Sequence, residues 1–360
     1  MQSPRPHFNT LDGIRGVAAL LVVIFHGADF FGAHPFPETY LAVDVFFLLS
    51  GAVVANAYES RLRDGMSFAR FAWIRLVRIY PLYLFGFTLG VVAITWSHAR
   101  LEGGLPLSLV DGLLLLPTLS GVLFPFNMPS WSLSVELFGN LAYAAALRWL
   151  DDRMLMIVMA ACAAGMAAVL WLSPRHLLDM GVTRVLFYVG YVRFGYAFCA
   201  GVLLYRCFMR YRGPRYARVS SPIAWLVLLC VAAVLMGAPP PKIAPWYDFF
   251  AVVLAFPLLI LWGMHYRAAG LHARVFDALG LLSYPIYVLH DPLMKMGRHA
   301  SLAWRGVAIS TYAPVAGWLL LLTVVVSAWL VAVHYDAPLR AWLMKPGRLR
   351  RGAHATGSGR

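Results

Sequence analysis

Residues 11–26 read LDGIRGVAALLVVIFH. Asp12, Arg15 and His26 are the only ionisable residues in the run, which opens a stretch over 13–32 long enough to cross bilayer hydrocarbon, a task that takes about 20 mostly apolar residues. Ionisable groups inside such a stretch are expensive, so each is a functional hypothesis by default. Arg15 and His26 are eleven positions apart, about 20° past three full helical turns, so they share one helix face and sit about 16 Å apart along the axis. The run is too long, and too interrupted by Arg15 and His26, for a removable signal peptide, and it is expected to stay in the protein.

Outward from this segment the same texture continues. The 360 residues are 61% hydrophobic and 13% charged, against about 25% charged in soluble domains. An all-α integral membrane fold is therefore expected. Spans of the required length fall near 13–32, 40–58, 79–97, 132–149, 154–172, 185–206, 222–237, 246–264, 276–297 and 313–334, ten in all. The net charge of +14 lies in short clusters between apolar stretches, where topology signals belong, so nucleic acid is not an expected partner. Cys162, Cys199, Cys207 and Cys230 show no CxxC spacing, and neither a disulfide nor a metal site is expected.

Charge also orients the chain. The connection 59–78 carries Arg61, Arg63, Arg70, Arg75 and Arg78, the connection 206–218 carries five arginines and no acid, and six basic residues follow position 336. All three belong in the cytoplasm by the positive-inside rule. Both termini are then cytoplasmic only if 106–126, interrupted by Pro117, Thr118, Ser120, Gly121 and Pro125, enters and leaves by the same outer face. The alternative, an eleventh span, would put Arg148 and Arg153 outside. The expected organisation is a transmembrane domain over 1–338 and a disordered basic cytoplasmic tail over 339–360.

Depth sorts the remaining polar residues. Asp44 in VDVFFLLSG, Glu136 in WSLSVE and His290 in SYPIYVLH come out roughly 6–11 Å below the outer ends of their spans, near the level of His26. These four groups are expected to share one outer-half pocket, with Asp44 or Glu136 holding the His26 ring. Histidine is the side chain best suited to accept a hydroxyl proton near neutral pH. Ser50, Ser132, Ser134, Tyr284 and Tyr287 could serve the site or simply join helices. Near the opposite face, Arg75 and Arg78 project from one side of their helix at the level of Arg15. Such guanidinium groups suit phosphates, although topology anchoring would also explain them. Arg193, mid-span in YVRFGYAF, needs a partner. Buried Arg, His, Asp and Glu beside a broken segment also fit a transporter pathway, but no internal repeat accompanies them.

Together these residues resemble the acyltransferase 3 family of membrane-bound O-acyltransferases. The carrying motifs are LDGIRGVAALLVVIFH (11–26), VDVFFLLSG (43–51), RLVRIYP (75–81), WSLSVE (131–136), LGLLSYPIYVLH (279–290) and YDAPLR (335–340). They run in the family's order over nearly the whole chain. The resemblance implies a ten-span transferase that takes an acyl group, most often acetyl, from cytoplasmic acyl-CoA as a co-substrate, with no tightly bound cofactor. The implied acceptor is a glycan or glycolipid hydroxyl on the outer face. His26 matches the family's essential histidine, Arg15 its paired arginine, and Arg75 and Arg78 the donor-side pair. Tyr284, Ser283 or Tyr287 could donate to the oxyanion, and both direct transfer and an acyl-histidine relay stay open. Ala42, where glycine is common, and LFGN after WSLSVE depart from the pattern. No C-terminal esterase-like domain is expected. An excess of 27 arginines over 3 lysines points to a high-GC bacterial genome, and the expected location is the bacterial cytoplasmic (inner) membrane. A homodimer or a partner in glycan assembly has no support in the sequence.

Overall fold

A computed structural model describes residues 7–345, except 100, 103, 119–120, 174–175, 180, 182, 184–185 and 213–217. The chain opens with α1 (Asn9–His26) and α2 (Ala28–Phe31), then α3 (Ala42–Val54), which runs through a π turn into α4 (Ser60–Arg63). There follow α5 (Phe68–Trp96), α6 (Leu105–Leu113), α7 (Ser130–Ala146), α8 (Asp152–Leu172) and α9 (Phe187–Arg212). The last third holds α10 (Ser221–Leu235), α11 (Ala244–Phe250), α12 (Phe256–His265), α13 (Gly270–Arg305), α14 (Val315–Val331) and α15 (Ala337–Leu343). Among the described residues the one strand pair is β1 (Arg218–Val219) parallel to β2 (Tyr266–Arg267), two residues each, with Arg218 opposite Tyr266.

Helix covers each of the ten apolar stretches, and seven segments are long and apolar enough to cross a membrane: Asn9–His26, Pro37–Arg63, Phe68–Trp96, Asp152–Leu172, Phe187–Tyr211, Ala244–His265 and Val315–Leu343. Several turn their apolar side chains outward. Met156, Ile157, Leu319 and Leu322 are each more than half exposed, which suits lipid and not water, so this is an all-α integral membrane protein. At the C-terminus α15 extends regular helix to Leu343, into the stretch expected to be a loose tail, and residues 346–360 lie outside the described residues. The cause is local: Asp336 and Arg340 pair across one turn of that helix.

The interrupted stretch behaves as its composition requires. α6 has nine residues, about 13.5 Å of rise, too short to cross, and Ser120 lies outside the described residues. From Leu114 to Pro129 the described backbone is irregular, and its polar groups find partners in the protein. Thr118 closes a turn by donating twice, from its amide to the Leu123 carbonyl at 2.9 Å and from its hydroxyl to the Val122 carbonyl at 2.7 Å. Pro125 accepts from Lys295 at 2.8 Å, and the Met128 amide donates to Asp291 at 3.0 Å. Pro292 inside α13 removes the N–H that would have served the Val288 carbonyl, and the Asn127 side chain donates to that carbonyl at 2.8 Å.

Helix directions follow from their contacts. α1 and α13 run parallel: Gly13 meets Phe276, Gly16 meets Leu279, His26 meets His290 and Gly27 meets Met294. A Cβ on Gly16 would lie 2.4 Å from that of Leu279, so the missing side chain is what lets the two helices approach. α3 and α9 are also parallel, with Asp44 meeting Arg193 and Gly51 meeting Phe198, and they touch backbone to backbone where they cross: a Cβ on Gly51 would stand 2.1 Å from the Phe198 carbonyl oxygen and one on Gly201 2.0 Å from that of Leu48. α5 and α7 are antiparallel, with Arg75 near Glu136 on α7 and Gly90 near Phe126, four residues ahead of α7.

The α3–α9 seam is locked by the partner that Arg193 required. Arg193 and Asp44 are both about 1% exposed and form a two-point ion pair, with Nε to Oδ1 at 3.1 Å. Two further guanidinium protons go to the carbonyls of Leu178 at 2.9 Å and Tyr40 at 3.2 Å. Removing one member of such a pair strands a buried charge, so Arg193→Met or Asp44→Leu alone is expected to destabilise the fold by about 3–5 kcal/mol. The double replacement should recover most of that loss, and thermal unfolding of the detergent-purified variants measures the difference.

Candidate active site

The α1–α13 seam carries the two residues that opened the sequence. Arg15 donates from Nε to the Ser283 hydroxyl at 3.0 Å and from its second terminal nitrogen to Asp12 at 2.7 Å and the Gly280 carbonyl at 3.3 Å. Further along, His26 Nδ1 stands 2.9 Å from His290 Nε2, with the two ring planes within 3° of parallel. Ser283 and His290 are seven residues apart, two turns on one face of α13. The parallel pairing therefore brings Arg15 to the first and His26 to the second.

The eleven-residue spacing on α1 survives intact, but the surroundings of His26 differ from the expectation. Asp44 is bound to Arg193, and Glu136 accepts from Arg75 at 2.9 Å and from Ser50 at 2.7 Å. Neither carboxylate meets His26, and of the four groups placed at one depth only His290 reaches it. The error has a physical origin: depth along a span fixes height and not azimuth, and these two acids face other helices. Arg298 adds a support that the sequence reading missed, donating to the His26 carbonyl at 3.3 Å while paired with Asp29 at 2.7 and 2.8 Å. The signal was present, because Asp29 and Arg298 continue the seam beyond His26 and His290.

Two neighbouring cavities run along this seam. The inner one, about 120 Å³, is walled by Arg15, Arg75, Arg78, Glu136, Ser132, Ser283, Tyr284 and Tyr287 between the phenyl rings of Phe46 and Phe47. With Ser50, which also lines it, nine of the residues singled out in the sequence thus meet in one place. The second, about 270 Å³ and more polar, lies at the end of α1 where Arg15 sits, lined by Asp12, Arg15, Arg78, Tyr284, Asp336 and Arg340 among others. Arg15, Arg78 and Tyr284 border both. Arg340, from the YDAPLR motif, is a third guanidinium at this mouth to which the sequence reading gave no role.

Hydrogen bonding separates the wall residues by availability. Arg78 makes no hydrogen bond or ion pair with a described residue, and the Arg75 Nε is buried without a partner. The hydroxyl protons of Ser283 and Tyr284 go to the carbonyls of Gly280 at 2.7 Å and Ile79 at 2.6 Å. Tyr287 and Ser132 lie 2.6 Å apart and both reach the Pro129 carbonyl, at 3.3 and 3.0 Å. Their protons can be distributed in two ways, which leaves Tyr287 the adaptable hydroxyl of the set. Its ring stands 5.8 Å from that of His290 and joins the cavity to the histidine pair. At the mouth, His7, Asp12 and Asp277 bring ligand atoms within 4.8 Å of one another. Both Asp12 oxygens are already engaged, by His7 at 2.9 Å and Arg15 at 2.7 Å, which disfavours a cation there.

The site is thus two-ended, with a guanidinium cluster that includes the unpaired Arg78 at one end of α1 and a histidine pair at the other. Comparison with known proteins gives this geometry a context. The profile of a family described as an acyltransferase domain matches residues 8–333. The chain is 43% identical over 167 residues to "Protein 2 in picA locus" of Rhizobium radiobacter, covering 41% of this chain and 85% of that protein. It is 36% identical over 186 residues to "Acyltransferase MdmB" of Streptomyces mycarofaciens, a match spanning 46% of this chain and 45% of that one. No solved structure matches significantly. With a match over nearly its whole length, the chain belongs to the acyltransferase 3 family.

Proposed function

We propose that this acyltransferase takes an acyl group, most directly acetyl, from acyl-CoA at the cytoplasmic face of a bacterial inner membrane and transfers it to a glycan or glycolipid hydroxyl at the outer face. The observation that carries the reading is the two-ended seam: Arg15 and Arg78 border both cavities at one end of α1, and His26 with His290 closes the other. Helix direction supports a count of ten crossings. Parallel α1 with α13, parallel α3 with α9 and antiparallel α5 with α7 agree with one another only if the stretch 106–126 does not cross. Both termini are then cytoplasmic, in keeping with the arginine-rich connections.

The chemistry follows from what each end offers. Arg78, Arg15 and Arg340 would hold the donor phosphates through charge-assisted hydrogen bonds. The pantetheine arm would lie through the inner cavity past Tyr287 toward His26. The acceptor O–H bond breaks as its proton passes to the imidazole, the oxygen lone pair forms the bond to the thioester carbonyl carbon, and the collapsing intermediate breaks the C–S bond. The departing thiolate takes the proton from the imidazolium, so the enzyme returns to its starting state. Tyr287 is the hydroxyl best placed to turn toward the developing oxyanion.

Deleting the gene should lower the acyl content of the surface polysaccharide or glycolipid relative to the parent strain, and an unchanged acyl content across all envelope glycans would overturn the reading of the acceptor. In proteoliposomes, His26→Ala should reduce transfer by about 10²–10⁴-fold without weakening acyl-CoA binding. On the donor side, a charged hydrogen bond is worth about 1.5–3 kcal/mol. Arg78→Ala should therefore weaken acetyl-CoA binding by roughly 10- to 100-fold and abolish most of the thermal protection that acetyl-CoA gives the purified wild type.

A further inference from the structure

The His26 ring is held by another imidazole and not by a carboxylate, and this has consequences for which of its nitrogens can act. His290 Nδ1 lies 3.2 Å from the Ile286 carbonyl one turn earlier in α13. A carbonyl oxygen only accepts, so His290 carries its proton on Nδ1. In the neutral ring its Nε2 is then a lone pair, and this is the atom 2.9 Å from His26 Nδ1. His26 must therefore donate from Nδ1, which leaves its own Nε2 unprotonated. That nitrogen makes no hydrogen bond with a described residue, and His26 keeps partial exposure while His290 is wholly buried.

The competing arrangement needs a doubly protonated His290 donating back to His26. It would bury a cation at 0% exposure, which is costly unless the charge is paired. The adjacent carboxylate, Asp291, is already occupied by Lys295 at 2.7 Å and the Met128 amide at 3.0 Å. Other charged or titratable groups near the pair, Asp29, His34 and Arg298, include one acid, and that acid is bound by Arg298.

We infer that His290 is a positioning residue which fixes His26 in the tautomer protonated at Nδ1 and so presents Nε2 as the nitrogen that accepts the hydroxyl proton. This rests on the acyl-transfer reading above for its catalytic consequence, though not for the tautomer itself. The device is the one by which metal-binding and catalytic histidines are oriented through their second nitrogen, with a neutral acceptor in the carboxylate's usual place. Once His26 holds two protons, its Nδ1–H still has the same acceptor, so the ring need not move between accepting the proton and returning it to the thiolate.

The test combines a spectrum with kinetics. Ring ¹⁵N NMR of histidine-labelled protein in micelles, with the His26→Gln spectrum subtracted to isolate that ring among eleven histidines, should show His26 protonated at Nδ1 and bare at Nε2. His290→Leu should lose the single tautomer and lower kcat on the order of 10- to 100-fold with KM for acetyl-CoA unchanged. His290→Gln, whose amide oxygen can still accept from Nδ1, should restore the tautomer and most of kcat. A wild-type ring protonated at Nε2, a His290→Leu protein with normal kcat, or a folded His290→Gln protein as slow as His290→Leu would each overturn the inference. If His290→Leu does not fold, the wild-type and His290→Gln spectra still decide it. The spectrum needs no turnover, so failure of the acyl-transfer reading would leave the tautomer result standing on its own.

Discussion

At hydrocarbon depth there is no water to complete an unfinished hydrogen bond, and this constraint governs nearly every feature of the fold. Arg193 and Asp44 are tolerable because each satisfies the other and two further guanidinium protons reach backbone carbonyls. Glu136 is tolerable between Arg75 and Ser50. Tyr284, buried in the cavity wall, gives its proton to Ile79. Beside the inner cavity and the histidine pair, the guanidinium of Arg78, the Arg75 Nε and the second nitrogen of His26 are groups that a ligand would complete.

Much of this was legible in the sequence, and the part that was not has a definite physical character. Apolar length located the helices, because hydrocarbon thickness sets a length that composition alone can meet. Helical periodicity put Arg15 and His26 on one face, and that spacing is realised along α13. Neighbours across helices were another matter. Height along a span can be counted, but the rotation of one helix against another depends on contacts such as Gly16 with Leu279 or Gly51 with Phe198, which no single-chain pattern encodes. Asp44 and Glu136 were therefore placed at a plausible height and assigned to the wrong companion, while His290, at the same height, proved to be the neighbour.

The two seams divide the labour of the molecule. α3 against α9 is built for closeness, with backbones in contact and a buried ion pair as its fastening. α1 against α13 is built for alignment, bringing a guanidinium and an imidazole on one helix opposite a serine and an imidazole on the other. The cavities lie beside the second seam, and their walls come from α1, α3, α5, α7, α13 and α15. This arrangement keeps Arg15, Arg75, Arg78, Tyr287 and the histidine pair on regular helices.

The irregular stretch ahead of α7 touches α13 over two turns through three separate bonds: Asn127 to Val288, Met128 to Asp291 and Lys295 to Pro125. Those turns contain His290 and Pro292, which interrupts the helix. The stretch thus acts as a splint across a deliberate fracture, holding in line a helix that would otherwise be free to bend where the histidine stands. The alignment of the imidazole pair is owed as much to a segment that contributes no reactive group as to the helices that carry the rings.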